Sequence, residues 1–206
     1  LLLRVYDPTG GAVTIDGINI RSIDRDWYRR LFAYVPQEVE IFDGTIRENI
    51  TYAYPGVDES CVDQAVKAAC LHEIASDTSR FPQGLETPVG ERGVRLSGGE
   101  RQRVGIARAY VALLSGAKLL VRDEATSSLD WESEKVVQDF IEQLRKEQSI
   151  TIVAIAHRLS TIRSADQICV LDGGVIAEMG SHEQLLKGNG LYQKLVTLQA
   201  LGEIRE

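Results

Sequence analysis

Apolar residues recur every three to four positions in several stretches of the chain, and this spacing predicts amphipathic helices. Val62, Ala65, Val66 and Ala69, for example, share one face of a helix that Asp58 is placed to cap. The predicted helices cover residues 26–32, 58–75, 133–146, 181–187 and 190–201.

Short apolar runs predict buried strands, because a strand covered on both faces has no polar side to alternate with. The two clearest runs are residues 118–121 and 150–156. Residues 12–16 alternate between apolar and polar and are followed by Gly17, which predicts a hairpin. Further short strands are predicted over 33–35, 167–172 and 175–177.

The stretch LSGGERQRVGIARAYVALLSGAKLLVRDEATSSLD, which starts at Leu96, organises the rest of the chain. Ser97 followed three residues later by Glu100 predicts a capping box at a helix start. Gly98 and Gly99 let a phosphate or another backbone approach the free N–H groups of that helix. An ordinary capped helix without a ligand is the simpler interpretation of these four residues taken alone.

Asp123 and Glu124 follow the apolar run at 118–121 after one residue, Arg122. Carboxylates at the carboxyl end of a buried parallel strand lie where open α/β sheets bind ligands. One of the two can hold Mg²⁺, and the other can act as a base on water. Gln37, after the strand at 33–35, and His157, after the run at 150–156, are candidates for the same edge. A solvated loop glutamine and a structural histidine are their simpler interpretations.

These motifs together resemble those of the ABC ATPases. LSGGERQR is similar to the signature motif of that family, and LLVRDEATSSLD to its Walker B strand and D-loop. YVPQEVEIFDGTIRENI resembles the Q-loop of the exporters, and TPVGERG the loop that precedes the signature in exporters. His157 in AHRLSTI matches the switch histidine. Two departures are that the span from Arg108 to Asp123 is a few residues longer than usual, and that Arg122 replaces an apolar residue.

The resemblance implies an α/β fold: a P-loop NTPase-like ABC ATPase core with a mostly parallel sheet, an antiparallel β part and an α-helical lobe at about 45–115. It implies one ATPase domain spanning residues 1–206. The family's phosphate loop, G-x-x-x-x-G-K-[ST], does not occur in the sequence. We therefore expect a fragment whose residues 1–6 are the end of the helix that follows that loop.

The resemblance also implies ATP and Mg²⁺ as ligands, shared by two ATPase domains that associate head to tail. The implied ATP-binding residues are Gln37, Ser97, Gly98, Gly99, Glu100 and Asp130. Asp123 and Gln37 would hold Mg²⁺, Glu124 would polarise the attacking water, and His157 would stabilise the γ-phosphate. Asp130 would bridge the two domains.

Composition excludes several other classes of protein. Of the 206 residues, 44% are hydrophobic and 26% are charged, which is ordinary for a globular domain. The net charge of −7 argues against a broad nucleic-acid surface, which requires clustered lysine and arginine. The three cysteines form no C-x-x-C pair and indicate free thiols rather than disulfides or a metal site.

The sequence therefore predicts the ATP-hydrolysing domain of an ABC exporter, at the cytoplasmic face of a membrane. Its expected partners are a second ATPase domain and a membrane domain fused upstream, and the isolated fragment is expected to be inactive. The apolar residues in Glu40-Ile41-Phe42 also predict a partner contact. Two alternatives stay open: a non-catalytic module that lends its signature helix to a partner's site, and an ABC ATPase without a membrane partner. The presence of both Glu124 and His157 favours catalysis.

Overall fold

The computed structural model describes residues 1–123, 131–155 and 162–200. The chain divides into two compact units, Leu1–Ala154 and Ile155–Glu206. Within the described residues, no helix combines the length and the apolar character needed to cross a membrane. The single domain over residues 1–206 stays a prediction.

The first unit contains both helices and strands, with four successive α-helices between its third and fourth strands. In chain order its elements are β1 (Thr14–Ile15), β2 (Ile18–Asn19), α1 (Arg25–Arg30), β3 (Phe32–Val35), α2 (Ile46–Thr51), α3 (Glu59–Ala68), α4 (His72–Ser76), α5 (Gly98–Leu114), β4 (Leu119–Asp123), α6 (Trp131–Gln148) and β5 (Thr151–Ile155), which ends at the boundary. The second unit contains β6 (Ile168–Asp172), β7 (Val175–Gly180), α7 (His182–Lys187) and α8 (Leu191–Ala200).

A three-stranded sheet in the order β3-β4-β5 forms the centre of the first unit. β3 and β4 are parallel, and their register pairs Phe32 with Leu119 and Val35 with Arg122. Antiparallel pairing occurs separately, between β1 and β2 and between β6 and β7. Parallel strands with helices, and antiparallel strands apart from them, confirm the predicted α/β class.

Helix α5 is the most buried element of the first unit, and it packs against α2, α3 and β3. A helix that is buried almost all round needs small side chains where its neighbours come closest. Gly105 is such a position, because a Cβ built on it would lie 2.5 Å from a methyl carbon of Val39. The loop that follows β3 therefore lies directly on the backbone of α5.

The predicted hairpin at residues 12–16 is confirmed in a shorter form. Its two turn residues, Asp16 and Gly17, have φ angles of +48° and +78°. A two-residue turn of this hand matches the twist of antiparallel strands, and Asp-Gly is a preferred pair for it.

Two helix predictions are wrong. Residues 1–6 form turns rather than a helix, and Arg4 donates its N–H to the carbonyl of Leu1 at 2.9 Å. The predicted helix over 58–75 breaks at Cys70, whose φ is +53°. The N–H of Leu71 bonds the carbonyl of Val66 at 2.9 Å, which is the bond that closes a Schellman cap. Leu71 is fully buried. Its packing in the core offsets the strain of the left-handed backbone at Cys70, which is not a glycine.

Replacing Gly105 with alanine is expected to lower the free energy of unfolding by about 1–3 kcal/mol, because the added methyl overpacks the contact with Val39. Urea denaturation of the purified variants measures the change. Gly98→Ala is the matched control, since a Cβ there meets nothing within 4 Å. The pair Val39→Ala and Gly105→Ala should recover part of the loss. A Gly105→Ala variant as stable as the wild type would contradict this packing.

Candidate functional site

The ends of β3 and β4 bring two of the predicted site residues to one edge of the sheet. Val35 and Arg122 are partners in the parallel register, so Asp123 follows on one strand where Pro36 and Gln37 follow on the other. Gln37 is exposed and Asp123 is half-buried. Burial raises the pKa of Tyr34, and the negative charge of Asp123 raises it further. Asp123 therefore lies near Tyr34 of the neighbouring strand.

The described residues contain no group of three or more histidine, cysteine, aspartate or glutamate side chains that could hold a metal ion. Asp123 and Gln37 offer a carboxylate and an amide oxygen, which are ligands that suit Mg²⁺. Because Mg²⁺ commonly completes its shell with substrate phosphates and water, two protein oxygens are a fitting but partial set. Glu124, Asp130 and His157 lie outside the described residues.

The start of α5 has the capping box that the sequence predicts. The N–H of Glu100 donates to Ser97 Oγ at 3.3 Å, and the N–H of Ser97 donates to Glu100 Oε2 at 2.6 Å. Ser97 and Gly98 are exposed, and Gly99 is half-buried. The helix thus presents its first turn, where N–H groups have no intrahelical acceptor, to the surface.

The described residues give no structural reason for a glycine at position 98. Its φ is not left-handed, and among these residues an added Cβ would meet no heavy atom within 4 Å. Alanine would favour the helix at such a position. An open glycine at a helix N-terminus leaves room for a group from outside the chain, and the positive end of the helix dipole favours an anion.

Arg80, which the sequence analysis did not single out, binds the carboxylate of this capping box. Its Nη1 donates to Glu100 Oε1 at 2.7 Å and its Nη2 to Glu100 Oε2 at 3.1 Å. Burial raises the pKa of Glu100, but the hydrogen bonds from Arg80 and Ser97 outweigh it and hold that pKa below its usual value. In the sequence, Arg80 is visible only as a basic residue 20 positions before Glu100. No helix or strand periodicity connects residues at that separation, so the pair cannot be predicted from the pattern.

The segment between Gln37 and α2 connects the two parts of the site. Val39 lies against Gly105 of α5, and Ile41 lies so close to Gly93 that a Cβ there would be 2.8 Å away. The N–H of Val89 donates to the carbonyl of Gly44 at 2.9 Å. The loop after β3 therefore contacts both α5 and the TPVGERG segment that precedes it.

Arg108 of α5 fixes the same loop from inside. Its Nε donates to the carbonyl of Asn49 at 2.8 Å, and its Nη2 donates to the carbonyl of Glu40 at 3.2 Å. Burial lowers the pKa of Arg108, and the negative charge of Glu40 opposes that shift. Phe42 stacks on Tyr52 with 4.3 Å between ring centroids, and both rings are exposed. Of the predicted apolar contact residues, Ile41 is instead buried.

Arg122, the residue before Asp123, is buried and has a polar partner, as a buried charge requires. It is 5% exposed, and its Nη1 donates to Gln138 Oε1 of α6 at 3.3 Å. Burial lowers the pKa of Arg122, while attraction to Glu134 of α6 opposes the shift. The strand that carries Asp123 is therefore attached to α6 by polar contacts where the family has an apolar residue.

Comparisons with known proteins agree with these motifs. The family model described as ABC transporter matches residues 1–127. The chain belongs to the ABC transporter family. It is 45% identical over 201 residues to ATP-binding cassette sub-family B member 10, mitochondrial, of Mus musculus, which covers 97% of this chain and 27% of that protein. It is 44% identical over 200 residues to ABC transporter B family member 1 of Dictyostelium discoideum, covering 97% of this chain and 21% of that protein.

Among solved structures, a bacterial Atm1-family ABC exporter with ATP bound is similar to this chain, with a TM-score of 0.87 and 43% identity. The match covers 97% of this chain and 33% of the exporter chain. Membership of the ABC transporter family implies that the domain binds ATP. The chain spans about a quarter of the length of the curated relatives described above.

The capping box predicts how stability depends on pH. The carboxylate of Glu100 has a lower pKa in the folded protein, so it adds stability above its unfolded pKa of about 4.3 and loses it as the pH falls. Glu100→Gln should reduce the free energy of unfolding by about 0.5–1 kcal/mol at pH 7, because glutamine can keep the capping bond and the lost pair with Arg80 is partly exposed. This difference should shrink below about pH 4.3, as urea denaturation at several pH values would measure. A difference independent of pH would contradict a charged Glu100.

Proposed function

We propose that this chain is the ATP-hydrolysing part of an ABC exporter and that it couples hydrolysis to transport across a membrane. The single observation that carries the proposal is the open first turn of α5 at Gly98, because nothing in the described part of the chain requires a glycine there. The start of α5 supplies backbone donors for an anion. The 43% identity to an exporter chain solved with ATP bound supports the same reading.

In this proposal the ATP is shared by two chains. At the start of α5, Ser97, Gly98 and Gly99 bind the γ-phosphate of a nucleotide held by a second ATPase domain, in a head-to-tail dimer. Glu100 contributes by holding Ser97 in the capping box. This arrangement suits an exposed helix end, because such an end binds anions that reach it from outside its own domain. Asp130 contacts the partner domain across the shared site.

At the edge of the sheet, Asp123 and Gln37 would hold Mg²⁺, which when bound neutralises charge on the phosphates. Glu124 accepts a proton from the attacking water, and His157 donates a hydrogen bond to the γ-phosphate. Gln37 also lies in the loop that Arg108 and Val39 attach to α5. A movement of Gln37 when Mg²⁺ or the nucleotide binds or leaves can therefore be transmitted through this loop to α5, the helix that begins within the LSGGE motif.

A membrane domain is the second proposed partner, and it places this domain at the cytoplasmic face of a membrane. The stacked and exposed rings of Phe42 and Tyr52 give the loop after β3 an apolar surface for that contact. In this proposal the membrane domain, and not the ATPase domain, chooses the transported substrate.

The alternative is a non-catalytic module that lends α5 to the site of a partner. The observation in its favour is the same exposed first turn of α5 at Gly98, which could serve a nucleotide held by a partner whether or not this chain hydrolyses ATP. Both functions require Gly98, but only the catalytic one requires Glu124.

The test uses the full-length protein in proteoliposomes and measures ATP hydrolysis and its apparent KM. Glu124→Gln should lower kcat by at least about 100-fold, because a general base is lost. Gly98→Ala should lower kcat/KM by about tenfold or more without loss of stability. Gly10→Ala is the matched control, because a Cβ on Gly10 also meets nothing within 4 Å and Gly10 lies outside the site.

The 206-residue chain by itself should hydrolyse ATP only at the background rate. Full activity of a Glu124→Gln protein would overturn the catalytic proposal. If Gly98→Ala still reduced the hydrolysis at a partner's site in that case, the non-catalytic function would be supported instead.

A further inference from the structure

Arg80 occupies an unusual place beside the exposed end of α5. It lies in the turn after α4, where Asp77 Oδ1 accepts hydrogen bonds from the N–H groups of Ser79 and Arg80. Its guanidinium binds both carboxylate oxygens of Glu100, and its Nη2 also donates to the carbonyl of Arg95 at 3.3 Å. Arg80 therefore holds the chain just before α5 and the first turn of α5 at the same time.

The contact solves an electrostatic conflict at the first turn. A carboxylate there favours the helix, because it faces the positive end of the dipole. The same negative charge opposes any further anion that approaches the N–H groups of Gly98 and Gly99. A guanidinium that binds both oxygens of Glu100 leaves the capping hydrogen bond to Ser97 in place and cancels the charge.

We propose that Arg80 is a positioning residue for anion binding at α5: it neutralises Glu100 so that the first turn accepts the phosphate of a nucleotide. This inference rests on the proposed function of that turn. Arg80 does not touch the nucleotide, and it acts through Glu100. The side chain of Glu100 is 13% exposed and that of Arg80 is 51% exposed, so the pair is partly shielded from solvent on the carboxylate side.

The geometry separates this role from a purely structural one. If Arg80 only stabilised the fold, removing Glu100 as well would add a second defect, because the capping bond to Ser97 would weaken too. If Arg80 cancels a charge, removing the charge of Glu100 makes Arg80 dispensable for anion binding. The two roles therefore predict opposite results for the double variant.

The experiment measures kcat and KM for ATP of the full-length protein in proteoliposomes at about 20 mM and about 300 mM salt. Interactions between exposed charges are weakly screened at the lower concentration and strongly screened at the higher one. Arg80→Gln should raise KM about three- to tenfold at low salt, with a smaller rise at high salt and kcat changed by less than about twofold. Arg80→Lys should keep most of the wild-type KM, because the positive charge remains.

Glu100→Gln in the Arg80→Gln background should return KM to within about twofold of the Glu100→Gln protein. Arg47→Gln is the matched control, since Arg47 is likewise an arginine paired with carboxylates, those of Glu59 and Glu86, and with none of α5. Its KM should equal that of the wild type. Melting temperatures of all variants separate a change in folding from a change in anion binding.

The proposal is overturned if Arg80→Gln leaves KM unchanged at low salt, or if the double variant is no better than Arg80→Gln. Its failure can be told from failure of the proposed function. A protein that Glu124→Gln inactivates but whose KM does not respond to Arg80→Gln retains the function and loses only the role of Arg80. A protein whose hydrolysis does not depend on Glu124 loses the proposed catalysis itself.

Discussion

The close contact between Val39 and Gly105 of α5 is the constraint on which the described site depends. It brings the loop that follows β3 onto the backbone of the helix whose first turn is exposed. Because protein interiors are packed as densely as organic crystals, the two segments cannot move past one another freely. The residues at the end of β3 and the residues at the start of α5 are therefore parts of one mechanical unit.

Further contacts keep α5 in place along its length. Arg108 binds the carbonyl of Glu40 in the same loop and that of Asn49 in α2, and Tyr110 donates its hydroxyl hydrogen to the carbonyl of Val137 in α6 at 3.0 Å. The ring of Tyr110 also packs edge-on against Phe140, with centroids 4.5 Å apart. One helix thus connects the loop after β3, its own exposed first turn and the helix that follows the acidic strand end.

Charge compensation is the second theme of this region. Arg108 and Arg122 are both largely withdrawn from solvent, and each is held by hydrogen bonds to neighbouring polar groups. Arg80 differs from them because it lies at the surface, where its positive charge compensates the carboxylate of the less exposed Glu100. A buried charge costs free energy unless it is paired, which is why these side chains have fixed partners. The proposed phosphate site would thereby avoid an uncompensated negative charge.

The sequence by itself determined the features that depend on neighbouring residues. The Asp16-Gly17 hairpin, the capping box of Ser97 and Glu100 and the acidic end of β4 were all predicted, because their hydrogen bonds and burial involve residues within a few positions. The α/β class followed from the motifs. The roles of Glu124, Asp130 and His157 stay predictions, since these residues lie outside the described part of the chain.

Only the tertiary structure decided the contacts between distant segments. The helix break at Cys70 follows from the demand of the core for Leu71, which overrides a local pattern that favours a continuous helix. Glu100 is 20 positions away from Arg80, and the carbonyl partners of Arg108 are 59 or more positions away, so no periodicity indicates these pairs. The reason is physical: local patterns specify which face of an element is apolar, whereas packing decides which elements meet and which charges lie side by side.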